Sequence, residues 1–117
     1  MRVKDAVGRF GEQVAAEHLE ACGLRILERN WRCRDGEIDV VAQDGDTLVI
    51  CEVKTRSGLR YGDPAEAVVA AKAQRLRKLA LRWLDAHGNT WQELRFDVVT
   101  VVRAPGGPVV RHLRGAF

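Results

Sequence analysis

The hydrophobic residues of the chain follow two different periods. Residues 5–22 and 64–87 repeat apolar side chains at helical spacing, and a glycine follows each run. Four other segments have the apolar, β-branched character of strands: residues 24–33, 37–42, 47–55 and 94–102. The resulting order, α-β-β-β-α-β, predicts an α/β fold with a mixed central sheet flanked by helices.

The segments between these elements carry turn and cap signals. Asp44-Gly45 predicts a tight two-residue hairpin between the second and third strands. Asp63-Pro64 is typical of a helix start, with an N-cap followed by proline. Residues 104–108 interrupt the last strand, and VVRHL after them predicts a short edge strand and a tail. The 117 residues suit one domain, so we predict a single unit over 1–117 with its core at about 5–103.

Each predicted helix has one apolar stripe that should face the sheet. On the second helix the stripe consists of Val69, Leu76, Leu79, Ala80 and Trp83. On the first helix it consists of Val7, Phe10, Val14 and Cys22, with Ala15 and Leu19 alongside.

The predicted hairpin of the second and third strands carries an unusual number of charges. Asp39, Glu52 and Lys54 share one face of it, and the Asp44-Gly45 turn makes the two acids diagonal neighbours, roughly 7–8 Å apart at their backbones. A slip of two residues would place them directly opposite each other. Such carboxylates need a positive partner, which is either Lys54 alone or a hard divalent cation such as Mg²⁺. A solvent-facing charged surface without a metal remains the alternative.

These residues also form a known pattern. Asp39 followed by Glu52-Val53-Lys54, on the second and third strands behind an acidic first helix, resembles the PD-(D/E)XK nuclease superfamily. The spacing is similar to that of archaeal Holliday-junction resolvases. The segments GRFGEQVAAEHLEACGLRILERNWRCRDGEIDVVAQDGDTLVICEVKTR, DPAEAV and RFDVV resemble more closely the YraN-like bacterial family of uncharacterised, predicted endonucleases. Ile38 stands where the superfamily name has proline.

The resemblance implies a restriction-endonuclease-like fold and a site that binds Mg²⁺ or Mn²⁺. Asp39 and Glu52 would be metal ligands, the Val53 carbonyl a third, and Glu12 the additional acid of the first helix. Lys54 would be the catalytic lysine. The implied function is a metal-dependent endonuclease that hydrolyses phosphodiesters, with structured or branched DNA as substrate. The alternatives are a nucleic-acid-binding module that keeps the fold without cleaving, and a structural protein with a charged hairpin.

Basic residues near this hairpin are candidates for contacts with a nucleic-acid backbone. Arg56 and Arg60 lie in the loop after the third strand, and Arg9 lies one turn before Glu12. Lys72 falls on the apolar stripe of the second helix, where it should either reach an edge or point into the polar site. The chain has 15 Arg and only 4 Lys, which suits phosphate binding, although a GC-rich genome would give the same excess.

The remaining composition limits partners and location. No stretch reaches 18 apolar residues and the first residues are too polar for a signal peptide, so no membrane contact is expected. A protein of this size covers little duplex, and a homodimer would be a natural way to address two strands.

Cysteine and histidine usage favours a reduced cytoplasmic protein. Cys22, Cys33 and Cys51 are an odd number without CxxC spacing, and Cys22 and Cys51 are predicted to be buried thiols. His18, His87 and His112 show no metal-ligand spacing, so no zinc site is predicted. Asp97 is predicted to form a structural salt bridge with an arginine.

Overall fold

The computed structural model describes residues 3–56, 70–88 and 90–117. It contains helices α1 (Val3–Ala21) and α2 (Ala70–His87) and strands β1 (Arg25–Cys33), β2 (Gly36–Asp44), β3 (Thr47–Arg56), β4 (Glu93–Val102) and β5 (Val109–Leu113). The predicted order of elements is confirmed, including the short edge strand. The predicted helix start at Asp63-Pro64, together with Arg60 and Val69, lies outside the described residues.

The five strands form one mixed sheet in the order β1-β2-β3-β4-β5. The pairs β1–β2, β2–β3 and β4–β5 are antiparallel, and β3 runs parallel to β4. A parallel pair needs a long crossover connection, and the segment that contains α2 supplies it. The mixed α/β architecture expected from the sequence is therefore confirmed.

One helix covers each face of the sheet, and the strand alternation divides the core accordingly. The α1 side holds Ala15, Leu19, Leu24, Val40, Ala42, Val49, Cys51, Val99 and Val101. The α2 side holds Ile38, Val41, Leu48, Ile50, Leu76, Leu79, Ala80, Trp83 and Phe96, which confirms the described part of the α2 stripe. Neither helix, over its described length, is long and apolar enough to cross a membrane.

The buried face of α1 differs from the predicted stripe. Phe10 is 37% exposed and Cys22 is exposed, so both predictions were wrong. The predicted burial of Ala15 and Leu19 is confirmed, and Gly11 and Ala16 complete the buried face. A Cβ on Gly11 would lie 1.8 Å from Thr55 Oγ1, so the helix backbone packs directly on β3. Small residues set the orientation of α1 because they allow this close approach.

The β2–β3 hairpin has a register shifted by two residues from the predicted one. Asp44 pairs with Thr47, so the two central turn residues are Gly45 and Asp46 instead of Asp44 and Gly45. Gly45 has a φ of 61°, which suits the first central position of a tight hairpin turn, where a positive φ is needed. The shift places Asp39 in line with Glu52, whereas the predicted register placed it opposite Ile50.

Substitutions at two glycines of α1 test the close approach of the helix to the sheet. We expect Gly11→Ala to lower the free energy of unfolding by about 1–3 kcal/mol, because its methyl group overlaps Thr55. Gly8→Ala should raise it by about 0.5–1 kcal/mol, because no atom lies within 4 Å of the added Cβ and alanine favours the helix. Urea unfolding of both variants measures the difference.

Thr55→Ala provides the internal check on this prediction. It removes two of the three atoms that the new methyl group meets, so the double variant Gly11→Ala/Thr55→Ala should recover part of the loss. Equal stability of the two glycine variants would contradict the packing described here.

Candidate functional site

The charged residues of the hairpin lie where β2 and β3 separate. Their pairing runs from Asp44–Thr47 to Val40–Cys51 and stops there. Beyond this point β2 stays paired with β1 as far as Gly36, while β3 stays paired with β4 as far as Arg56. Asp39 and Glu52 are the first residues of the opening, which we call the fork. The predicted convergence of the two acids is thus realised at a gap in the sheet.

The alternation of β2 is interrupted at Asp39. Val40 packs on the α1 side and Ile38 on the α2 side, although a regular strand would place both on one face. The neighbouring β1 is irregular at the same level, because Asn30 has a φ of 54°. Asn tolerates this left-handed conformation better than most residues. The irregular backbone at this level allows the Asp39 side chain to turn toward β3.

The Asp39 carboxylate accepts a backbone hydrogen bond that strand pairing no longer satisfies. Its Oδ2 accepts a hydrogen bond from the Val53 N–H at 2.8 Å. The N–H and C=O of one strand residue project toward the same neighbouring strand, so the Val53 carbonyl also faces the fork. Asp39 therefore satisfies a backbone donor that would otherwise have lost its partner where the strands part.

The environment of Asp39 opposes its ionisation. Burial raises the pKa of this carboxyl to about 7, and the charges of Glu52, Glu12 and Glu37 act in the same direction. The hydrogen bond from Val53 acts against them but does not cancel them. Asp39 therefore lies within electrostatic reach of three other acids, one of which is the predicted first-helix residue Glu12. Glu12 is half-buried on α1, next to Gly11.

Two lysines converge on Glu52. Lys54 Nζ lies 3.6 Å and Lys72 Nζ 3.4 Å from Glu52 Oε1. The Lys72 side chain is only 16% exposed, and the prediction that it points into the polar site is confirmed for this carboxylate contact. Burial, and secondarily the neighbouring Lys54, lower the pKa of Lys72, while Glu52 raises it. The fork thus holds an acid-rich side at Asp39 and an ammonium pair at Glu52.

A buried hydroxyl lies beside these groups. Thr100 pairs with Lys54 across the β3–β4 ladder, and within the described residues its Oγ1 is a buried polar atom without a hydrogen-bond partner. Such an atom usually binds water or a ligand. This orphan hydroxyl is therefore a further polar group at the site.

The rim of the fork is partly neutralised. Glu37 accepts a hydrogen bond from Arg32 Nε at 2.7 Å. Arg9 is exposed on α1, and Arg56 ends β3 half-buried. Arg60 is outside the described residues, so its predicted contact with phosphate stays a prediction. The structure thus brings Arg9, Arg56 and Lys72 to elements that border the fork.

Three residues whose spacing along the sequence predicts no zinc site form a compact cluster. The ligand atoms of His18, Cys22 and His112 all lie within 4.8 Å of one another. His18 lies in the last turn of α1, whereas the His112 side chain on β5 is only 8% exposed. His18 in the last turn of α1 and Cys22 just after it are four residues apart, a spacing that puts both on one side of the helix end, and that spacing was the available signal. His112 lies on β5, far from His18 and Cys22 in the sequence, and only the folded chain brings it next to them.

The buried carboxylate of Asp97 contacts His112 and fixes its position. The predicted salt bridge with an arginine is confirmed, since Arg95 Nε lies 2.9 Å from Asp97 Oδ1. His112 Nε2 and the Gly115 N–H also contact this fully buried carboxylate, at 2.8 and 3.0 Å. Burial alone would raise the pKa of Asp97, but these hydrogen bonds and Arg95 hold it at about 2.

Together, the fold and the fork define a mixed α/β protein whose central hairpin opens onto a site of clustered acids and paired lysines. The chain belongs to the family described as "Uncharacterised protein family UPF0102", the YraN-like family, whose model matches residues 11–101. A UPF0102 protein of Frankia casuarinae is 64% identical over 118 residues, which cover 100% of both chains. One of Beutenbergia cavernae is 58% identical over 116 residues, 98% of each chain. The matched region contains the whole fork.

The raised pKa of Asp39 gives a direct prediction for the metal-free protein. Below about pH 4 Asp39 is protonated in both folded and unfolded chains, so it has no effect on stability. As the pH rises from 3.8 to about 7 the unfolded chain ionises first, and the folded state loses stability that does not return above that pH. We expect Asp39→Asn, which stays neutral, to be more stable than the wild type by about 1–4 kcal/mol at pH 8.

Urea unfolding at several pH values, with a chelator present, measures this effect. The difference between Asp39→Asn and wild type should grow through the window and then level off. Asp85→Asn, at an exposed position of α2, is the matched control and should track the wild type. A constant difference at all pH values would show that Asp39 ionises normally.

Proposed function

We propose that this protein is a Mg²⁺- or Mn²⁺-dependent endonuclease of the restriction-endonuclease-like fold that hydrolyses DNA phosphodiesters at the fork. The observation that carries the proposal is the pair Asp39 and Glu52 at the point where β2 and β3 separate. Burial and three nearby acids raise the pKa of Asp39 to about 7, so a bound cation would stabilise its ionised form. Clusters of this kind are typical of functional sites.

The donor set fits a hard divalent cation. Asp39 and Glu52 would supply carboxylate oxygens, the Val53 carbonyl faces the same gap, and Glu12 would add a carboxylate from α1. Oxygen ligands that leave room for water are the ones Mg²⁺ prefers. A bound ion would polarise the phosphoryl oxygen and lower the pKa of a coordinated water.

The lysines supply the other half of the chemistry. Hydrolysis adds water across one P–O bond and leaves a phosphomonoester and a hydroxyl group. Lys54, 3.6 Å from Glu52, would stabilise the negative charge that develops on the phosphoryl oxygens. Lys72 has a pKa lowered first by burial, so its ammonium is a better proton donor than an ordinary lysine and suits protonation of the leaving oxygen.

The DNA would lie across the edges that surround the fork. Arg9 and Arg56 border it from α1 and β3, and Arg60 follows in the segment after β3. Arginine binds phosphate well because its planar group donates several hydrogen bonds. Branched DNA as the substrate, a homodimer that acts on two strands and a cytoplasmic location belong to the same proposal.

One observation favours a second function, nucleic-acid binding without cleavage. Glu52 already contacts two ammonium groups, at 3.6 and 3.4 Å. A carboxylate paired in this way must rearrange at least one contact before it binds a metal ion. If it does not, the two lysines and the arginines would form a phosphate-binding surface without catalysis.

Metal binding and cleavage by isosteric variants separate these functions. We expect Asp39→Asn and Glu52→Gln to lose calorimetric binding of Mn²⁺ and Mg²⁺, because each removes a charged oxygen ligand. Lys54→Met should keep metal binding and lose cleavage by about 10²–10³-fold, the loss expected when one group that stabilises the transition state is removed. The substrate panel contains four-way junctions, duplex and single-stranded DNA.

Lys78→Met is the matched control, because Lys78 is an α2 lysine whose exposed side chain pairs with Asp35 and not with Glu52. It should behave as the wild type in both assays. Unchanged metal binding in both carboxamide variants would refute the metal site. Binding of metal and DNA without cleavage of any substrate would establish the second function, and cleavage that survives Glu52→Gln would indicate a contaminating nuclease.

The arginines give a prediction that does not depend on catalysis. Arg9→Gln and Arg56→Gln should weaken DNA binding uniformly across sequences and each reduce the slope of log K against log salt by about 1. Arg25→Gln is the control, since Arg25 pairs with Gln43 near the far end of β2. Fluorescence anisotropy at several salt concentrations measures the slopes. A fall in slope for Arg25→Gln as large as for the other two would place the DNA elsewhere.

A further inference from the structure

The His18, Cys22 and His112 cluster has dimensions close to those of a metal site. His18 Nε2 lies 3.3 Å from His112 Nδ1 and 3.6 Å from Cys22 Sγ. In a tetrahedral zinc centre, Zn–N bonds of about 2.05 Å and a Zn–S bond of about 2.3 Å separate two nitrogens by about 3.3 Å and sulfur from nitrogen by about 3.5 Å. The two separations that involve His18 match these values, and the third pair, Cys22 and His112, lies within 4.8 Å.

The orientation of His112 is fixed by a buried acid. Its Nε2 lies 2.8 Å from Asp97 Oδ2, so in the neutral imidazole this nitrogen carries the hydrogen and donates a hydrogen bond to the carboxylate. The other nitrogen of this tautomer, Nδ1, has a lone pair and lies 3.3 Å from His18 Nε2. A carboxylate behind a histidine in this way is the usual partner of a metal-bound imidazole. Asp97 is itself held by Arg95 and by the Gly115 N–H.

The side chains also offer access for an ion. Cys22 is exposed, whereas the His112 side chain is only 8% exposed. An ion could therefore enter from solvent on the thiol side and rest on a buried imidazole. Three protein ligands leave a fourth tetrahedral position for water. One thiolate and two imidazoles select a borderline-soft transition metal over Mg²⁺.

We propose that His18 Nε2, Cys22 Sγ and His112 Nδ1 form a second metal site, for Zn²⁺ or a similar thiophilic divalent ion, separate from the fork. Asp97 acts as a positioning residue that orients His112. The site joins the last turn of α1 to the edge strand β5, which are distant in sequence. A bound ion would therefore fasten β5 against the helix. This proposal does not depend on the proposed nuclease function.

Cobalt binding to the metal-free, full-length protein tests the site. We expect one equivalent of Co²⁺ to produce thiolate-to-cobalt charge-transfer absorption in the near ultraviolet and the intense visible bands of a tetrahedral ion. Zn²⁺ should displace the Co²⁺ and remove both signals. Cys22→Ala should lose the charge-transfer band, and His18→Ala should lose tight one-to-one binding. Asp97→Asn should bind about 10–100-fold more weakly.

Matched variants make the outcome specific. Cys33→Ala removes a thiol that packs on the α2 side, and Glu52→Gln changes the fork, so both should keep the full cobalt spectrum. Zn²⁺ should raise the melting temperature and slow the hydrogen exchange of β5 in wild type but not in Cys22→Ala. Absence of the charge-transfer band in wild type, or its persistence in Cys22→Ala, would overturn the proposal. The side chains of His18 and Cys22 are at least partly exposed, so the His18→Ala and Cys22→Ala variants should fold.

Discussion

The site depends on one hydrogen bond, from the Val53 N–H to the Asp39 carboxylate, at 2.8 Å. Antiparallel strands normally satisfy their own backbone groups, and a hairpin that splits leaves some of them without partners. Here a side chain of β2 satisfies the first free donor of β3 beyond the last ladder pair. The strands can then part without an unpaired buried amide, and the gap between them becomes the place where acids from α1, β2 and β3 meet.

The electrostatics of this gap are unfavourable for the folded chain on its own. A carboxyl with a pKa of about 7 is costly to ionise, because burial and three nearby acids oppose its charge. The hydrogen bond from Val53 offsets part of this cost, whereas the two lysines pair with Glu52. Sequences usually avoid such local conflicts, and those that persist cluster at functional sites. This supports the proposal that the fork binds a cation and phosphate.

Helix α1 connects the fork with the histidine–cysteine cluster. Gly11 packs its backbone on Thr55, and this contact fixes how the helix lies along the sheet. Glu12 is then held near Asp39, and His18 is held near His112. Glu12 and His18 are six positions apart in the sequence, or about 9 Å along the helix axis. A substitution that lifts α1 from the sheet should therefore disturb both sites at once.

Much of the architecture could be predicted from the sequence, because local patterns specify it. Helical and strand periods gave the order of elements, and strand parity placed Asp39, Glu52 and Lys54 near one another. The exact register was missed because a single glycine can occupy either central position of a tight turn. In the structure Gly45 occupies the first central position. The resulting shift of two residues keeps Asp39 and Glu52 near each other, because side chains alternate with a period of two, and it brings the two acids into line.

Local sequence patterns specify the elements, the charged hairpin and the family motif to which Asp39, Glu52 and Lys54 belong. The splitting of the hairpin at Asp39, the contact of Lys72 with Glu52 and the approach of His112 to His18 and Cys22 follow from the three-dimensional packing of the chain. These features depend on contacts between residues far apart in the chain, and local periodicity contains no information about such distances. They arise when α1 and α2 pack on opposite faces of the sheet and close the spaces that strand pairing leaves open.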